Sequence, residues 1–556
     1  MSENLTLVSA MARLRRGPGR GFTFVGRDRE ERFFAYEALE SEAWRRAAFL
    51  QERGLKKGDR AALVIAEPED FVLSFLGCAV AGVVPVPVYP RASFKNADGY
   101  VEILAHVVRT SGARAVLCME GNRDVVERIG EHGATPEHVL AVESAFTGTA
   151  PSFATPTIDE RDLCFLQFTS GSTNKPKGVT VTHRNLVANA SAFLGPHGLD
   201  RNDDDKGVSW LPLFHDMGLI GFVLGTLVKD IPVVLLPTET FARSPGLWLE
   251  TITKHRGTIT YAPNFAYQLV TKRVKDKQLE ELELSSVRVA GCGAEPIRAA
   301  TLKEFAQKFA PAGFRSTAFL PSYGMAESTL AITFHPVGTE MVVDVVDAEA
   351  MKDGVARPAD GSTKTPLEVV SCGVGFPEHE VRVVDEQGQP LPERRVGQVI
   401  ARGPSVTEGY FENAEATAEA LKDGWLQTGD LGYLADGNLY ICGRLKDLII
   451  IRGANHYPQD LEWSVGDLEG VRRGNVVAFS VMRDGTEELV IAAEANRADA
   501  ERLRTEIARK IQQEFGLSPA HVAICAVGAL PKTSSGKAQR RKTKALFEAG
   551  DLGEHA

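Results

Sequence analysis

Short apolar runs alternate with longer segments of helical periodicity, and this alternation restricts the fold more than any other feature of the sequence. It begins with a helix predicted over 36–53, a strand over 61–65, a helix over 70–81 and a strand over 83–88. A repeated strand–helix order indicates parallel sheets covered by helices, so the predicted class is α/β. Further buried strands are predicted at 233–236, 287–290 and 318–320.

The pattern changes after about residue 370. Short alternating strands separated by glycine turns, at 381–384, 397–401 and 437–442, predict a small β-rich subdomain. From about residue 446 a compact, charged α+β segment follows, with a helix predicted at 498–515. The chain is therefore expected to consist of large α/β units, a β-rich unit and a small C-terminal unit.

Composition narrows the class of protein. The 63 basic and 73 acidic side chains give a net charge of −10 without a long basic run, which argues against a nucleic-acid partner. Seven cysteines without a CxxC pair are expected to be reduced core residues. No apolar run approaches the ~18 residues of a membrane span, and no signal peptide is recognisable. We expect a cytoplasmic protein without a transmembrane segment.

One loop carries a polyphosphate-binding pattern. Residues 168–178 read FTSGSTNKPKG and lie between two strand-like runs. Such a loop offers backbone N–H groups, hydroxyl donors and two ammonium groups, which suit phosphate oxygens and their charge. It is not a Walker A loop, because GxxxxGK[ST] is absent. The alternative interpretation is a flexible surface turn.

Four further clusters of polar and aromatic residues follow along the chain. Residues 322–327 (SYGMAE) place an aromatic ring and a carboxylate after a strand, where open α/β sheets bind ligands. Residues 425–431 (WLQTGDL) are expected to hold an acid in a tight turn, and residues 443–447 (GRLKD) follow at a domain junction. Residues 531–537 (PKTSSGK) place a lysine in a mobile loop. Each cluster alone is compatible with an ordinary cap or a solvated lysine; their joint occurrence is specific.

These motifs resemble those of the acyl-adenylate-forming superfamily, which includes acyl-CoA synthetases, luciferases and nonribosomal peptide adenylation domains. The resemblance covers essentially the whole chain. Residues 86–90, 210–221 and 452–460 are most similar to the fatty acyl-AMP ligases. The resemblance implies that a fatty acid reacts with ATP to give an acyl-adenylate and pyrophosphate, and it implies Mg²⁺ as the metal.

The resemblance also implies roles for particular residues. Asp430 would accept from both ribose hydroxyls, Arg444 would contact ribose or phosphate, Glu327 would bind Mg²⁺, and Lys537 would bridge the carboxylate and the α-phosphate. His215 is expected to have one of two roles. It would either act as a gate on the substrate side or make a structural hydrogen bond to the neighbouring backbone. Tyr323 would stack on adenine, the backbone at Gly293, Ala294 and Glu295 would read its edge, and the remaining ATP-binding residues would be Thr169, Ser170, Gly171, Ser172, Thr173, Lys175, Lys177, Gly324 and Met325.

A two-part organisation follows from the same resemblance. Residues 1–445 would form the AMP-binding body, and residues 446–556 a mobile C-terminal lid that pivots at Lys446. The segment of about 334–370 resembles an insertion that restrains the lid and disfavours coenzyme A. The acyl group would then pass to a holo acyl carrier protein in trans, since no Gly-x-Asp-Ser motif occurs in the chain. Two alternatives are a conventional fatty acyl-CoA synthetase and a catalytically silent adenylate-binding module.

Overall fold

Two sheets with parallel strands form most of the N-terminal part in a computed structural model, which describes residues 5–90, 97–169, 175–483, 486–533 and 536–555. The smaller sheet is parallel throughout, and its core contains apolar residues from both of its faces. Its strands, in spatial order, are β4 (Val84–Pro87), β3 (Arg60–Val64), β5 (Ala115–Cys118) and β6 (His138–Ala141).

The larger sheet has nine strands, parallel in the middle and antiparallel at both edges. A separate two-stranded hairpin consists of β7 (Leu163–Thr169) and β8 (Lys177–Thr182). In spatial order the nine strands are β17 (Val374–Gly375), β14 (Ala331–Phe334), β13 (Phe319–Gly324), β12 (Val289–Cys292), β11 (Ile259–Ala262), β9 (Gly207–Ser209), β10 (Val233–Leu235), β1 (Gly21–Val25) and β2 (Glu31–Ala35).

Helices connect these strands, which confirms the predicted α/β class. Helix α3 begins with Pro68 at its first turn and ends at Gly82, whose φ of 69° suits glycine. Gly77 allows α2 and α3 to approach closely, because a Cβ there would lie 2.6 Å from Cβ of Arg46. The helices are α1 (Leu7–Met11), α2 (Tyr36–Glu52), α3 (Pro68–Ala81), α4 (Ala97–Ser111), α5 (Arg123–Glu127), α6 (Val142–Ala145), α7 (His183–Phe193), α8 (Asp216–Leu219), α9 (Gly225–Val228), α10 (Thr238–Arg243), α11 (Gly246–His255), α12 (Asn264–Arg273), α13 (Asp276–Leu279) and α14 (Ala299–Phe309).

The predicted β-rich subdomain is a five-stranded antiparallel sheet flanked by helix α16 (Ala414–Ala420). One local expectation is wrong: Asp430 does not lie in a tight turn but within a strand of eleven residues. The strand continues because Asp430 pairs in register with Arg444 of the neighbouring strand. The strands are β18 (Glu380–Val384), β19 (Gly397–Arg402), β20 (Leu421–Lys422), β21 (Trp425–Ala435) and β22 (Asn438–Arg444).

The C-terminal lid of the sequence analysis, residues 446–556, contains a three-stranded sheet and a short hairpin. Helices pack against these strands, and two apolar clusters lie between the strands and the helices. Their separate cores are consistent with the predicted boundary near 445, which stays a prediction. The elements are β23 (Ile449–Ile451), β24 (Ala454–His456), α17 (Pro458–Gly466), β25 (Val471–Arg483), β26 (Thr486–Ala495), α18 (Ala500–Phe515), β27 (His521–Cys525) and α19 (Arg540–Ala549).

The predicted insertion forms an antiparallel hairpin, β15 (Val343–Asp347) and β16 (Pro366–Val370), with α15 (Ala348–Lys352) between the strands. We refer to residues 343–370 as the inserted hairpin. All seven cysteines are buried and unpaired, as predicted. Within the described ranges, none of the helices combines the length and the apolar character needed to cross a membrane.

Candidate active site

A cavity of about 1910 Å³ lies between the strand ends of the large sheet, the β7–β8 hairpin, the β-rich subdomain and the C-terminal lid. Gly293 does not line this cavity; it is buried beside Ser322. Four predicted phosphate-binding residues, Ser170, Gly171, Ser172 and Thr173, lie outside the described residues. The predicted site residues that line the cavity are Thr169, Lys175, Lys177, His215, Ala294, Glu295, Tyr323, Gly324, Met325, Glu327, Asp430, Arg444, Lys446 and Lys537.

Tyr323 and Asp430 meet at one end of the cavity. The Tyr323 hydroxyl donates to Oδ2 of Asp430 at 2.7 Å, and Nε of Arg444 lies 3.2 Å from Oδ1. Burial raises the pKa of Asp430, and the guanidinium of Arg444 acts in the opposite direction. Each carboxylate oxygen retains a lone pair after these contacts, so Asp430 can still accept from a ligand hydroxyl.

Glu327 lies in a short turn just after β13, and its position depends on a distant tyrosine. The Tyr410 hydroxyl donates to Oε1 of Glu327 at 2.7 Å, and the Lys177 ammonium lies 5.2 Å from the centre of the Tyr410 ring. Burial raises the pKa of Glu327, and the hydrogen bond from Tyr410 opposes that shift. A cation bound to the carboxylate would favour its ionised form.

The chain reverses direction beyond Glu327 in a strained turn. The Leu330 N–H donates to the Ser328 carbonyl at 2.7 Å, and Thr329 between them has φ 62° and ψ −64°, the geometry of a γ-turn. The buried Thr329 hydroxyl donates to the Ser405 carbonyl at 2.7 Å, which stabilises this conformation. Gly324 is required opposite the turn, because a Cβ there would lie 1.9 Å from the Leu330 carbonyl oxygen. Strain of this kind is typical of functional sites.

His215 and Asp216 form a pair at the start of α8. Nδ1 of His215 lies 2.5 Å from Oδ1 of Asp216, while the Met217 N–H is 3.4 Å from that nitrogen and 2.8 Å from Oδ1. The shorter contacts indicate that His215 donates to Asp216 and that Met217 donates to the carboxylate. Burial raises the pKa of Asp216, but His215 and Lys537 more than offset it, so the net shift is downward. Asp216 is therefore an ionised group in the cavity.

Lys537 reaches this cavity from the C-terminal lid. Its backbone N–H donates to Oγ1 of Thr533 at 3.1 Å, and a Cβ at Gly536 would lie 3.6 Å from the Phe265 ring of the body. Burial lowers the pKa of Lys537, and the carboxylates of Asp216 and Glu295 partly offset the effect. Lys537 is thus close to the carboxylates of Asp216 and Glu295.

An ion pair joins the body and the C-terminal lid in this orientation. Arg298 of the body and Asp467 of the lid form a bidentate pair, with Nη1 and Oδ1 3.0 Å apart. A bidentate guanidinium–carboxylate pair contributes binding energy and also restricts the relative orientation of the two groups. The lid therefore has a defined docking contact in the orientation that brings Lys537 to the cavity.

Glu295 has a structural contact of its own. Its Oε1 accepts the Phe265 N–H at 2.6 Å, at the first turn of α12. Ala294 adopts a positive φ of 69°, which directs the chain away from β12. The Glu295 side chain is thus engaged with a helix N-terminus, and its backbone remains at the cavity wall.

Contacts on the two sides of Lys446 differ. Arg444, before it, pairs with Asp430 of the body, whereas Asp447, after it, accepts from Nη1 of Arg540 of the lid at 2.7 Å. Among the residues that the structure describes, the Lys446 ammonium pairs with Glu419 at the surface, 3.3 Å away. These contacts are consistent with the predicted passage from body to lid near Lys446, which stays a prediction.

Two site residues escaped the sequence analysis. Asp216 stands beside His215 in the sequence and could have been found from that proximity. Tyr410 carries no local signal. It reaches Glu327 because the Phe411 N–H donates to the Gly178 carbonyl at 2.8 Å, which attaches this segment to β8.

Known proteins resemble this chain over its full length. Residues 13–411 match the family described as AMP-binding enzyme. A Caulobacter vibrioides protein provisionally named an acyl-CoA synthetase is 41% identical, covering 93% of this chain and 91% of its own. A medium-chain-fatty-acid–[acyl-carrier-protein] ligase of Moorena producens is 32% identical, covering 94% and 91%. A structure from work on fatty acyl-adenylate ligases from E. coli and L. pneumophila superimposes with a TM-score of 0.92 at 36% identity, covering 98% of both chains.

Proposed function

The chain belongs to the AMP-binding enzyme family, and from that premise we propose that it activates a fatty acid as fatty acyl-adenylate and then acylates a carrier protein. In the first step a carboxylate oxygen attacks the α-phosphorus of ATP, and the bond from that phosphorus to the β-phosphate oxygen breaks. In the second step a pantetheine thiol attacks the acyl carbonyl carbon, and AMP leaves. Both steps are ATP-dependent ligase chemistry.

The observation that carries the first step is the meeting of Lys537, Asp430 and Glu327 at one cavity. Two anions must approach each other, so catalysis consists mainly of positioning and charge compensation. Asp430 accepts from the ribose hydroxyls, and Tyr323, fixed by its bond to Asp430, packs on the adenine. Lys537 places its charge where carboxylate and α-phosphate meet. The docked lid supports this assignment, because it is the lid that carries Lys537.

His215 is placed on the substrate side of the same centre. Its ring is oriented by Asp216, with Nδ1 and Oδ1 2.5 Å apart, so Nε2 is the atom left to face the cavity. We assign His215 a positioning role toward the acyl carboxylate. The structural alternative, a hydrogen bond between His215 and the neighbouring backbone, is weaker, because the Met217 N–H is 3.4 Å from Nδ1 of His215 but 2.8 Å from Oδ1 of Asp216.

The carboxylate of Glu327 fits a Mg²⁺ ion that would be bound by the protein and the nucleotide phosphates together. Among the described residues no group of three or more His, Cys, Asp or Glu side chains could hold a metal by itself. Mg²⁺ is usually bound by one or two carboxylates together with substrate phosphates. Glu327 fits this arrangement, because Tyr410 occupies only Oε1. When bound, the ion neutralises phosphate charge.

The inserted hairpin supports a carrier protein rather than coenzyme A as acceptor. It contacts the body through Glu368 and Lys303, 2.8 Å apart, and the β-rich subdomain through Asp344, which accepts from Tyr433 at 2.8 Å. Its Met351 belongs to the same apolar cluster as Tyr457 of the lid. A segment attached to all three parts can bias the lid against the rotation that coenzyme A requires.

Product analysis tests the two steps separately. Fatty-acid-dependent exchange of pyrophosphate into ATP reports adenylation, and its absence with every acid would favour a silent module. Acylation of a holo carrier with little acyl-CoA formation is the expected result for the second step. Equal or faster acylation of free coenzyme A would instead establish a conventional acyl-CoA synthetase.

A further inference from the structure

Residues 407–411, which we call the bridging segment, connect the turn that carries Glu327 to strand β8. At one end of the segment, the Thr407 N–H donates to the Glu327 carbonyl at 2.9 Å. Further along, the Gly409 carbonyl accepts from the Thr180 N–H at 3.0 Å and from the Thr180 hydroxyl at 2.9 Å. The backbone of the bridging segment is therefore attached to both structures, and a side chain on it can contact both.

Tyr410 is that side chain. It is half-buried and lines the active-site cavity. Its hydroxyl donates to Oε1 of Glu327 at 2.7 Å, and the centre of its ring lies 5.2 Å from the Lys177 ammonium. Its backbone N–H donates to Oγ1 of Thr417 on helix α16 at 3.0 Å, and an antiparallel bridge pairs Tyr410 with Val179 of β8. The phenol is thus held on several sides while it contacts a carboxylate and an ammonium group.

The two contacts of Tyr410 have different physical effects. A hydrogen bond to one carboxylate oxygen restricts the rotation of the Glu327 carboxylate, and residues that orient metal-binding groups in this way tune metal affinity. A cation above the face of an aromatic ring is attracted by the electron density of the ring, which holds the Lys177 ammonium in place. The hydroxyl serves one contact and the ring face serves the other, so each can be removed separately.

We propose that Tyr410 is a positioning residue that couples Mg²⁺ binding at Glu327 to polyphosphate binding at Lys177. This inference rests on the proposed function, with Glu327 as the Mg²⁺ ligand and Lys177 as a phosphate contact. Because one side chain holds both groups, their relative placement is set before the nucleotide arrives, and less ordering is required on binding. Mg²⁺ should therefore strengthen ATP binding to a degree that depends on the Tyr410 hydroxyl.

Calorimetric titration with ATP, once in EDTA and once in excess Mg²⁺, tests the coupling. The ratio of the two dissociation constants is the gain in affinity that Mg²⁺ provides. Tyr410→Phe keeps the ring and removes the bond to Glu327, so this gain should fall about 10-fold, as is typical when a residue that orients a metal-binding group is lost. Tyr410→Leu also removes the ring, so the dissociation constant of metal-free ATP should rise about 2- to 5-fold as well.

Two further variants make the test specific. If Tyr410 acts through Glu327, a Tyr410→Phe/Glu327→Gln double variant should lose no more of the gain than Glu327→Gln alone. Tyr433→Phe is the matched control, because the Tyr433 hydroxyl also donates to a carboxylate, that of Asp344 at 2.8 Å, but Tyr433 lies outside the cavity wall. Its gain from Mg²⁺ should equal that of the wild type.

Three results would overturn the proposal. The first is an unchanged gain in Tyr410→Phe. The second is equal weakening of metal-free and Mg²⁺-bound ATP in that variant, which would mean that Tyr410 only shapes the nucleotide pocket. The third is the absence of any gain in the wild type. Pyrophosphate exchange is measured in parallel: if no fatty acid supports it, the proposed function fails, whereas the titrations still decide the coupling because they require ATP alone.

Discussion

The Tyr323 hydroxyl donates to Oδ2 of Asp430 at 2.7 Å, across two different sheets. Tyr323 is on β13 of the nine-stranded sheet, and Asp430 is on β21 of the β-rich subdomain. The bond joins the proposed adenine platform to the proposed ribose acceptor. Because both groups are fixed before a nucleotide arrives, less conformational entropy is lost on binding.

Asp430→Ala should weaken ATP binding by ~1.5–3 kcal/mol, because two ribose hydroxyls lose a charged acceptor. Tyr323→Phe keeps the ring and removes only the bond to Asp430, so its effect should be smaller, ~0.5–1.5 kcal/mol. Isothermal titration with ATP measures both. Unchanged affinity in Asp430→Ala would assign the carboxylate a purely structural role with Tyr323 and Arg444.

Lys537→Ala should reduce acyl-adenylate formation by ~10²–10³ while ATP binding persists, because the lost charge acts mainly in the transition state. Pyrophosphate exchange and nucleotide titration separate the two effects. Lys544→Ala, on helix α19 of the same lid, is the matched control. Exchange at the wild-type rate in Lys537→Ala would contradict the assignment.

Lys446→Pro should leave adenylation intact and prevent transfer to the carrier. Proline fixes φ and removes an N–H at the point where the chain passes between domains, and a pivot must change these dihedrals. Lys446→Ala loses only the surface pair with Glu419, worth under about 1 kcal/mol, and should transfer normally. Single-turnover assays of each half-reaction measure the outcome. Equal slowing of both steps by proline would argue for a general loss of stability.

Shortening the inserted hairpin should allow acyl-CoA formation. Val343 and Val370 are partners in the ladder, so a tight turn can replace residues 344–369 without moving either strand end. A bias of ~2.7 kcal/mol changes a two-state population ratio a hundredfold. Met351→Ala, which keeps the hairpin, should shift the product ratio less in the same direction. A folded deletion variant that makes acyl-AMP but no acyl-CoA would refute the restraint.

His456 should make the protein sensitive to acid. Burial, with Lys352 of the inserted hairpin nearby, lowers the pKa of His456 to about 4 from 6.5. The unfolded chain then binds more protons between these values, so stability is complete above pH 6.5 and is lost as the pH falls toward 4. Each pKa unit corresponds to ~1.4 kcal/mol.

Calorimetry of His456→Gln at pH 7.5 and pH 5 tests this linkage. The melting temperature of the variant should fall less between the two values than that of the wild type. His197→Gln, which replaces an exposed histidine, is the control and should follow the wild type. An identical decrease in all three proteins would exclude His456 as the source.

Much of the fold was accessible from periodicity alone. The helix predicted over 36–53 is Tyr36–Glu52, and the helix predicted over 498–515 is Ala500–Phe515. The spacing of apolar residues is a local property of the sequence. It reflects the regular geometry of helices and buried strands, in which the backbone groups form their hydrogen bonds. Asp430 was misplaced in a turn because its strand is specified by pairing with Arg444, not by its neighbours in sequence.

The sequence by itself determined which chemical groups the chain has and in what order: a hydroxyl- and lysine-rich loop, a carboxylate after a strand and a lysine near the end. Only the tertiary structure decided which of them meet. Tyr410 reaches Glu327 over 83 residues and Tyr323 reaches Asp430 over 107. The Tyr261 ring fits only because Gly291 of the next strand has no side chain. Such contacts depend on strand pairing and domain docking, whose energies come from residues distant in the chain and therefore leave no local pattern.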